Sequence, residues 1–250
     1  MTRMPTALFP TLTWTRPTES VAWPKGERRI RARRAPAEKV DFWEVKPDGN
    51  RSKAYQFIKR VVDIVVASVG IVLLLPIMLI TFLVLLATTR GKPLFRQVRI
   101  GECGRKFNLY KFRTMVVNAE QVQQHVTNEQ SGPVFKNRRD PRITRVGAIL
   151  RKFSIDEMPQ LFNVLLGDMT LVGPRPPVEP EVRKYENWQL RRLAVKPGLT
   201  CLWQVSGRCE IGFLQWVRMD LWYIDRQSLL LDLVLLVKTP LAVLSGRGAY

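Results

Sequence analysis

Two carboxylates stand side by side at Asp156 and Glu157, in the run Leu150-Arg-Lys-Phe-Ser-Ile-Asp-Glu-Met-Pro-Gln-Leu161. Cations flank them at Arg151 and Lys152. A further block, Gly167-Asp-Met-Thr-Leu-Val-Gly-Pro-Arg-Pro176, adds Asp168 and Arg175. Adjacent acids among cations suit a site that handles phosphate and a divalent metal. An ionised aspartate can attack phosphorus, or it can help to hold Mg²⁺ against a diphosphate. Arg175 sits between prolines, which fix φ and reduce the entropy lost when a guanidinium clamps phosphate.

The same residues have a purely structural reading. Ser154 followed by Glu157 has the spacing of a capping box, and Asp156 would then lie in a first helical turn, where the helix dipole favours negative charge. Pro159 blurs that register. Asp168 is either a turn residue after Gly167 or a further metal-site carboxylate. Arg175 is either a phosphate clamp or a solvent-facing turn residue. Cap and catalysis are also compatible, because a helix N-terminus lowers a carboxylate pKa and attracts phosphate oxygens.

The elements that must position this block include a membrane-length segment. Ile64 to Thr89 carries no charged residue. As a helix it extends about 39 Å, against a hydrocarbon core of about 30 Å. Pro76 at its middle removes a helix hydrogen bond and predicts a bend. Arg51, Lys53, Lys59 and Arg60 precede the run, and Arg90, Lys92, Arg96 and Arg99 follow it. Because positive charge marks the cytoplasmic side, both flanks are expected on one face. A re-entrant helix over 56–92, broken at Pro76, satisfies both features. A straight span and a buried helix are the competing readings.

Composition narrows the rest. The 250 residues carry a formal charge of +19, which points to anionic partners: nucleic acid, acidic lipid or nucleotide phosphate. The three cysteines form no CxxC pair and argue against a disulfide framework. A single histidine, His125, excludes zinc sites built from several histidines. Residues 1–55, with the run Glu27-Arg-Arg-Ile-Arg-Ala-Arg-Arg34, read as a flexible basic leader that is either solvated or held to anionic lipid. Leu94–Ile100 and Lys106–Arg113, separated by Gly101-Glu-Cys-Gly104, predict a β-hairpin whose basic side can lie against headgroups. The stretch Lys196–Arg208 can stack and clamp a nucleotide through Trp203 and Arg208, or simply pack Trp203 in a core. Phe213–Tyr223 and Trp188–Arg192 predict interfacial helices with aromatics at headgroup depth. Leu229–Val243 is too interrupted for a span and predicts a helix along the interface or in the core.

From Gln56 to Tyr250 the chain resembles the bacterial sugar transferases, the monotopic polyprenyl-phosphate phosphoglycosyl transferases. The motifs are Lys59-Arg-Val-Val-Asp63, Lys111-Phe-Arg-Thr-Met115, Asp140-Pro-Arg-Ile-Thr-Arg-Val-Gly147, Leu150–Leu161, Gly167–Pro176, Pro197-Gly-Leu-Thr200, Leu202-Trp-Gln-Val-Ser-Gly-Arg208 and Leu244-Ser-Gly-Arg-Gly248. Leu75 stands where a serine often precedes the family's proline, and Cys201 and Cys209 stand where Gly and Asn are common.

The resemblance implies an α+β, mostly helical, monotopic membrane protein. A re-entrant helix and interfacial amphipathic helices would surround a small cytoplasmic catalytic domain over 93–250. It implies transfer of a sugar 1-phosphate from a UDP-sugar to polyprenyl (undecaprenyl) phosphate at the bacterial inner membrane, with release of UMP. That reaction would initiate exopolysaccharide, capsule or O-antigen synthesis. Asp156 would be the nucleophile and Glu157 its helper. Mg²⁺ would be the cofactor, with Asp156, Glu157 and Asp168 as its carboxylates. Arg175, Arg151, Arg113, Arg208 and Lys59 would bind substrate. Membrane lipid is an expected partner and nucleic acid is not. A homodimer at the membrane surface is compatible with such a chain. The alternative is a non-catalytic, membrane-tethered basic protein that binds anionic lipid or nucleic acid.

Overall fold

A computed structural model describes residues 40–49, 51–129, 132–208 and 211–246. Most of the basic leader expected over 1–55 lies outside these residues. The described residues are α+β and mostly helical.

Helix α1 (Lys53–Thr88) opens where Ser52 Oγ accepts from the Tyr55 amide, and it continues through Pro76. The break expected at Pro76 is therefore not an interruption of the helix. Asp63, Ala67, Met78, Thr81 and Leu85 are buried along one stripe. Their spacing of three or four residues, or sums of these, keeps them on one face of a helix. Every other side of α1 is apolar and open: Val65, Val69, Val72, Leu73, Ile80 and Leu83 are all exposed. That much contiguous apolar surface is stable only against lipid or a partner. One helix among the described residues, α1, is long and apolar enough to cross a membrane.

The predicted hairpin forms. Strand β1 (Leu94–Ile100) pairs antiparallel with β2 (Lys106–Phe112), placing Phe95 opposite Lys111, Gln97 opposite Leu109 and Arg99 opposite Phe107. Opposed residues share a face, so Phe95, Gln97, Arg99 and Lys111 project together. After the short helix α2 (Ala119–Val122), helix α3 (Arg145–Lys152) is capped by Thr144, whose Oγ accepts from the Gly147 amide. Gly147 has a steric reason to be glycine: a Cβ there would lie 2.1 Å from the Thr114 carbonyl oxygen. Helix α4 (Gln160–Leu166) follows. Its fully buried Asn163 accepts from the Tyr110 amide and donates to the Asn108 carbonyl, which fastens α4 to β2.

Strands β3 (Thr170–Val172) and β4 (Gly198–Thr200) pair in parallel. Gly173, just past β3, and Gly198, the first residue of β4, approach so closely that a Cβ on Gly198 would sit 2.0 Å from the Gly173 nitrogen. Between the two strands lie the one-turn helices α5 (Glu179–Val182) and α6 (Asn187–Leu190). Helices α7 (Leu202–Ser206), α8 (Phe213–Asp225) and α9 (Leu229–Ser245) complete the chain.

Three apolar clusters hold these elements together. One gathers Trp203, Phe213, Trp216 and Tyr185. A second joins Ala67 of α1 to Leu161, Met169 and Tyr223. The third joins Met78 and Leu85 of α1 to Phe112 and Leu150. Helix α8 corrects the interfacial reading of Phe213–Tyr223: Phe213, Trp216 and Tyr223 face the core, while Leu214 and Trp222 remain open. Helix α9 agrees with its expectation. Asp232 and Leu235 face inward, and Leu230, Leu233, Val237, Leu241 and Leu244 form an exposed apolar stripe.

Candidate active site

The acid pair is delivered by a turn, not by a capped helix. Helix α3 ends at Lys152, and Ser154 adopts a left-handed backbone with φ of 53°. Asp156 and Glu157 then lie in a single 3-10 turn, Ile155–Glu157. The expected capping box does not form: the Ser154 side chain caps nothing, and α4 begins three residues after Glu157. A left-handed serine costs about 1–2 kcal/mol, which surrounding structure must offset. Arg208, itself left-handed, donates to Ser154 Oγ at 3.4 Å.

This turn borders a cavity of about 600 Å³. Asp156, Glu157, Arg151, Arg175, Arg208 and Arg113 all line it. Six of the eight expected site residues are thus brought together. Arg175 donates to Glu157 Oε1 at 3.0 Å. Arg113 stands over the Phe95 ring and donates to the Lys92 carbonyl.

Four further cations line the cavity and were not named as site residues from the sequence: Arg99, Lys111, Lys136 and Arg142. Lys111 and Arg99 project into the cavity from the shared face of the hairpin. Alternation in Gln97-x-Arg99 and Lys111-x-Arg113 was the available signal. Arg99, Lys111 and Arg113 of this segment thus border the cavity, while Arg96 and Lys106 are exposed elsewhere on the hairpin.

Burial and the neighbouring Glu157 charge push the Asp156 carboxyl up to about 6, against the pull of Lys111, Arg151 and Arg175. This reverses the expectation of a carboxylate depressed by a helix terminus. Its own carboxylate accepts no hydrogen bond among the described residues, so desolvation outweighs distant charge. Burial acts the same way on Glu157, but the Arg175 guanidinium in contact with it holds that acid below its ordinary range. Burial, then repulsion from Arg99, brings the Lys111 ammonium down to about 7.

The Arg175 loop is fixed from behind. Arg192, 1% exposed, donates to the Arg175 carbonyl at 3.2 Å, to Asp220 at 2.6 Å and to the Tyr185 oxygen at 2.8 Å. Arg99 donates to the Pro176 carbonyl at 2.9 Å.

Two expected site residues lie elsewhere. Lys59 does not line the cavity. It donates to Asp232 at 2.7 Å and to the Val172 carbonyl at 3.0 Å, and so anchors α1. Arg60 and Asp63 do the same work: Arg60 donates to the Val164 and Leu165 carbonyls, and buried Asp63 accepts from the Thr170 hydroxyl and the Leu171 amide. Asp168 follows the far end of α4 and is separated from the acid pair by the length of that helix. Among the described residues no three His, Cys, Asp or Glu side chains are grouped to hold a metal. Asp156 and Glu157 alone fit Mg²⁺ when substrate phosphates fill the remaining positions, since that ion commonly takes one or two protein carboxylates.

Fold and site together define a protein with an apolar anchor helix and a cation-lined, acid-bearing cavity beside it. The model of the bacterial sugar transferases matches residues 54–246, and the chain belongs to that family. Galactosyl transferase CpsE of Streptococcus agalactiae is 45% identical over 194 residues, covering 76% of this chain and 43% of that protein. The undecaprenyl-phosphate galactose phosphotransferase of Salmonella typhimurium is 40% identical over 205 residues, covering 79% and 43%. The exopolysaccharide production protein ExoY of Rhizobium meliloti is 39% identical over 198 residues, covering 77% and 88%. The chain thus spans less than half the length of the first two relatives and most of the third.

Proposed function

We propose that the chain transfers a sugar 1-phosphate, hexose-1-phosphate by analogy with its galactose-handling relatives, from a UDP-sugar to polyprenyl phosphate, and so initiates a surface glycan. The observation that carries this reading is Asp156: a buried carboxylate beside the Glu157–Arg175 pair, in a cavity to which Arg99, Lys111, Arg113, Arg151 and Arg208 also contribute. Above pH about 6 it is ionised, and an ionised carboxylate that accepts no hydrogen bond among the described residues is a competent nucleophile.

In the first step an Asp156 oxygen forms a bond to the sugar-bearing phosphorus. The bond from that phosphorus to the bridging oxygen breaks, and UMP leaves. In the second step a phosphate oxygen of the polyprenyl phosphate attacks the same phosphorus and releases Asp156. Arg175, Arg151, Arg208 and Lys111 offset charge on the transferring group in a site partly screened from water. Bound Mg²⁺, held by Asp156, Glu157 and substrate oxygens, would supply further neutralisation of the diphosphate.

The anchor supports the same reading. The cations on both flanks of α1 and the proline at its middle favour entry and exit by the cytoplasmic face of the inner membrane. The apolar stripe of α9 suits the same headgroup plane. Such seating brings the cavity to the depth of a lipid phosphate.

A panel of UDP-glucose, UDP-galactose and their N-acetylated counterparts, each offered with polyprenyl phosphate, tests the reading. UMP release and an acid-trapped phosphosugar adduct on the protein are expected with at least one donor. No UMP from any donor would leave a non-catalytic membrane-tethered binder.

A further inference from the structure

Arg175 stands on a stem that is held at each carbonyl from Pro174 to Pro177. The Pro174 carbonyl accepts from the Gly198 amide at 2.9 Å, and the Pro177 carbonyl from the Ile100 amide at 2.9 Å. Between them, the Arg175 carbonyl accepts from Arg192 at 3.2 Å and the Pro176 carbonyl from Arg99 at 2.9 Å. Pro174, Pro176 and Pro177 also have φ fixed by their rings. A stem held in this way leaves Arg175 freedom only in its own side chain, and that side chain grips Glu157 at 3.0 Å.

One of the four donors has no ordinary place in the fold. Gly198 and Ile100 donate from strand backbone, and Arg99 lines the cavity. Arg192 lines no part of that cavity. Its side chain is 0% exposed, and that of its partner Asp220 is 1% exposed. Its guanidinium lies 4.8 Å from the centre of the Trp216 ring. Taking two charges out of water is costly, and an apolar pair of similar volume commonly serves stability as well or better. Stability alone therefore explains the Arg192–Asp220 pair poorly. An apolar pair cannot donate to the Arg175 carbonyl. Arg192 Nη2 donates both to that carbonyl and to Asp220, so the carboxylate fixes the donor that fixes the stem.

We propose that Arg192 and Asp220 are positioning residues for the transfer: they act through the Arg175 carbonyl to hold the Arg175 guanidinium on Glu157, beside Asp156. This rests on the transferase reading above. The test is a double-mutant cycle on the full chain in lipid nanodiscs, read as the single-turnover rate of phosphosugar adduct formation. Arg192→Met combined with Asp220→Leu replaces the ion pair by apolar side chains, and its melting temperature should not fall. In the wild-type background this pair of changes should slow adduct formation about ten- to a hundredfold, the usual cost of a small misplacement. In an Arg175→Ala background it should slow the residual rate by less than about twofold, because the group it positions is gone. The same loss in both backgrounds overturns the proposal, as does a folded variant with the wild-type rate. Should the apolar pair fail to fold, Tyr185→Phe removes the hydroxyl that receives Arg192 Nη1. A loss of about threefold is then expected with Arg175 present and none without it, and equal effects in the two backgrounds again overturn the proposal. A wild-type chain that forms no adduct with any UDP-sugar overturns the transferase reading, and the positioning role with it.

Discussion

Two of the buried charge groups among the described residues are built on opposite terms. At the root of α1, Lys59, Arg60 and Asp63 are each met by direct hydrogen bonds from or to α4, β3 and α9. Tyr223 completes that group by donating to Asp232 at 2.6 Å. In the cavity, Asp156 is buried to 8% exposure with no such partner among the described residues and an acidic neighbour. The first arrangement is satisfied and holds parts together. The second is left under-compensated, and a group kept short of partners is free to react. Charge alone does not distinguish an anchor from a site. Satisfaction does.

The comparison is broken most sharply at Asp156. Asp156→Asn should lower transfer by about a thousandfold or more and abolish the adduct. Because its folded pKa is raised to about 6, the acid contributes favourably only when protonated, below its unfolded value, and that contribution is lost as pH rises through about 6. The Asn variant should therefore melt higher than wild type at pH 7.5, by a margin on the order of 1–2 kcal/mol. Wild-type activity should fall below pH about 6, as the nucleophile takes up its proton. A profile flat to pH 5 would sink the assignment.

At the anchor the signs reverse. Asp232→Ala removes the acceptor of Lys59, Tyr55 and Tyr223 and should destabilise by about 3 kcal/mol, the usual cost of orphaning a buried charge. Denaturation in detergent with a urea series measures this. Whatever protein remains folded should keep its pH profile.

Glu157→Gln separates the two acids. Removing the like charge lowers the Asp156 pKa, so the acid limb of the rate profile should move down by about one unit. The loss of Arg175's partner should lower kcat about tenfold. The smallest effect belongs to Ser154→Gly, which relieves the left-handed backbone and should change the melting free energy by less than about 1 kcal/mol.

Legibility followed locality. The hairpin was readable because alternation and its glycines act over a few residues, and its register then brought Arg99 and Lys111 to one face. The acid block was readable as chemistry but not as geometry. Ser-x-x-Glu spacing suits a cap, yet the left-handed Ser154 turns the chain first, and α4 waits until after Pro159. The pairing of Lys59 was not legible, because its partner Asp232 lies 173 residues away and no local pattern reports such a contact. The place of Asp168 was hidden for the opposite reason: it is near Asp156 in sequence, but a helix stands between them.

The inward stripe of α1 bears on how the protein can be handled. A version cut after Thr89 to make it water-soluble would strip Asp63 from Leu171, Lys59 from Asp232 and Arg60 from the end of α4. It would also open the Ala67 and Leu85 contacts of two apolar clusters. The anchor is one wall of the folded body, so it cannot be treated as a detachable tag. Lipid or detergent around its outer face is thus a component of the native state, as solvent is for other proteins.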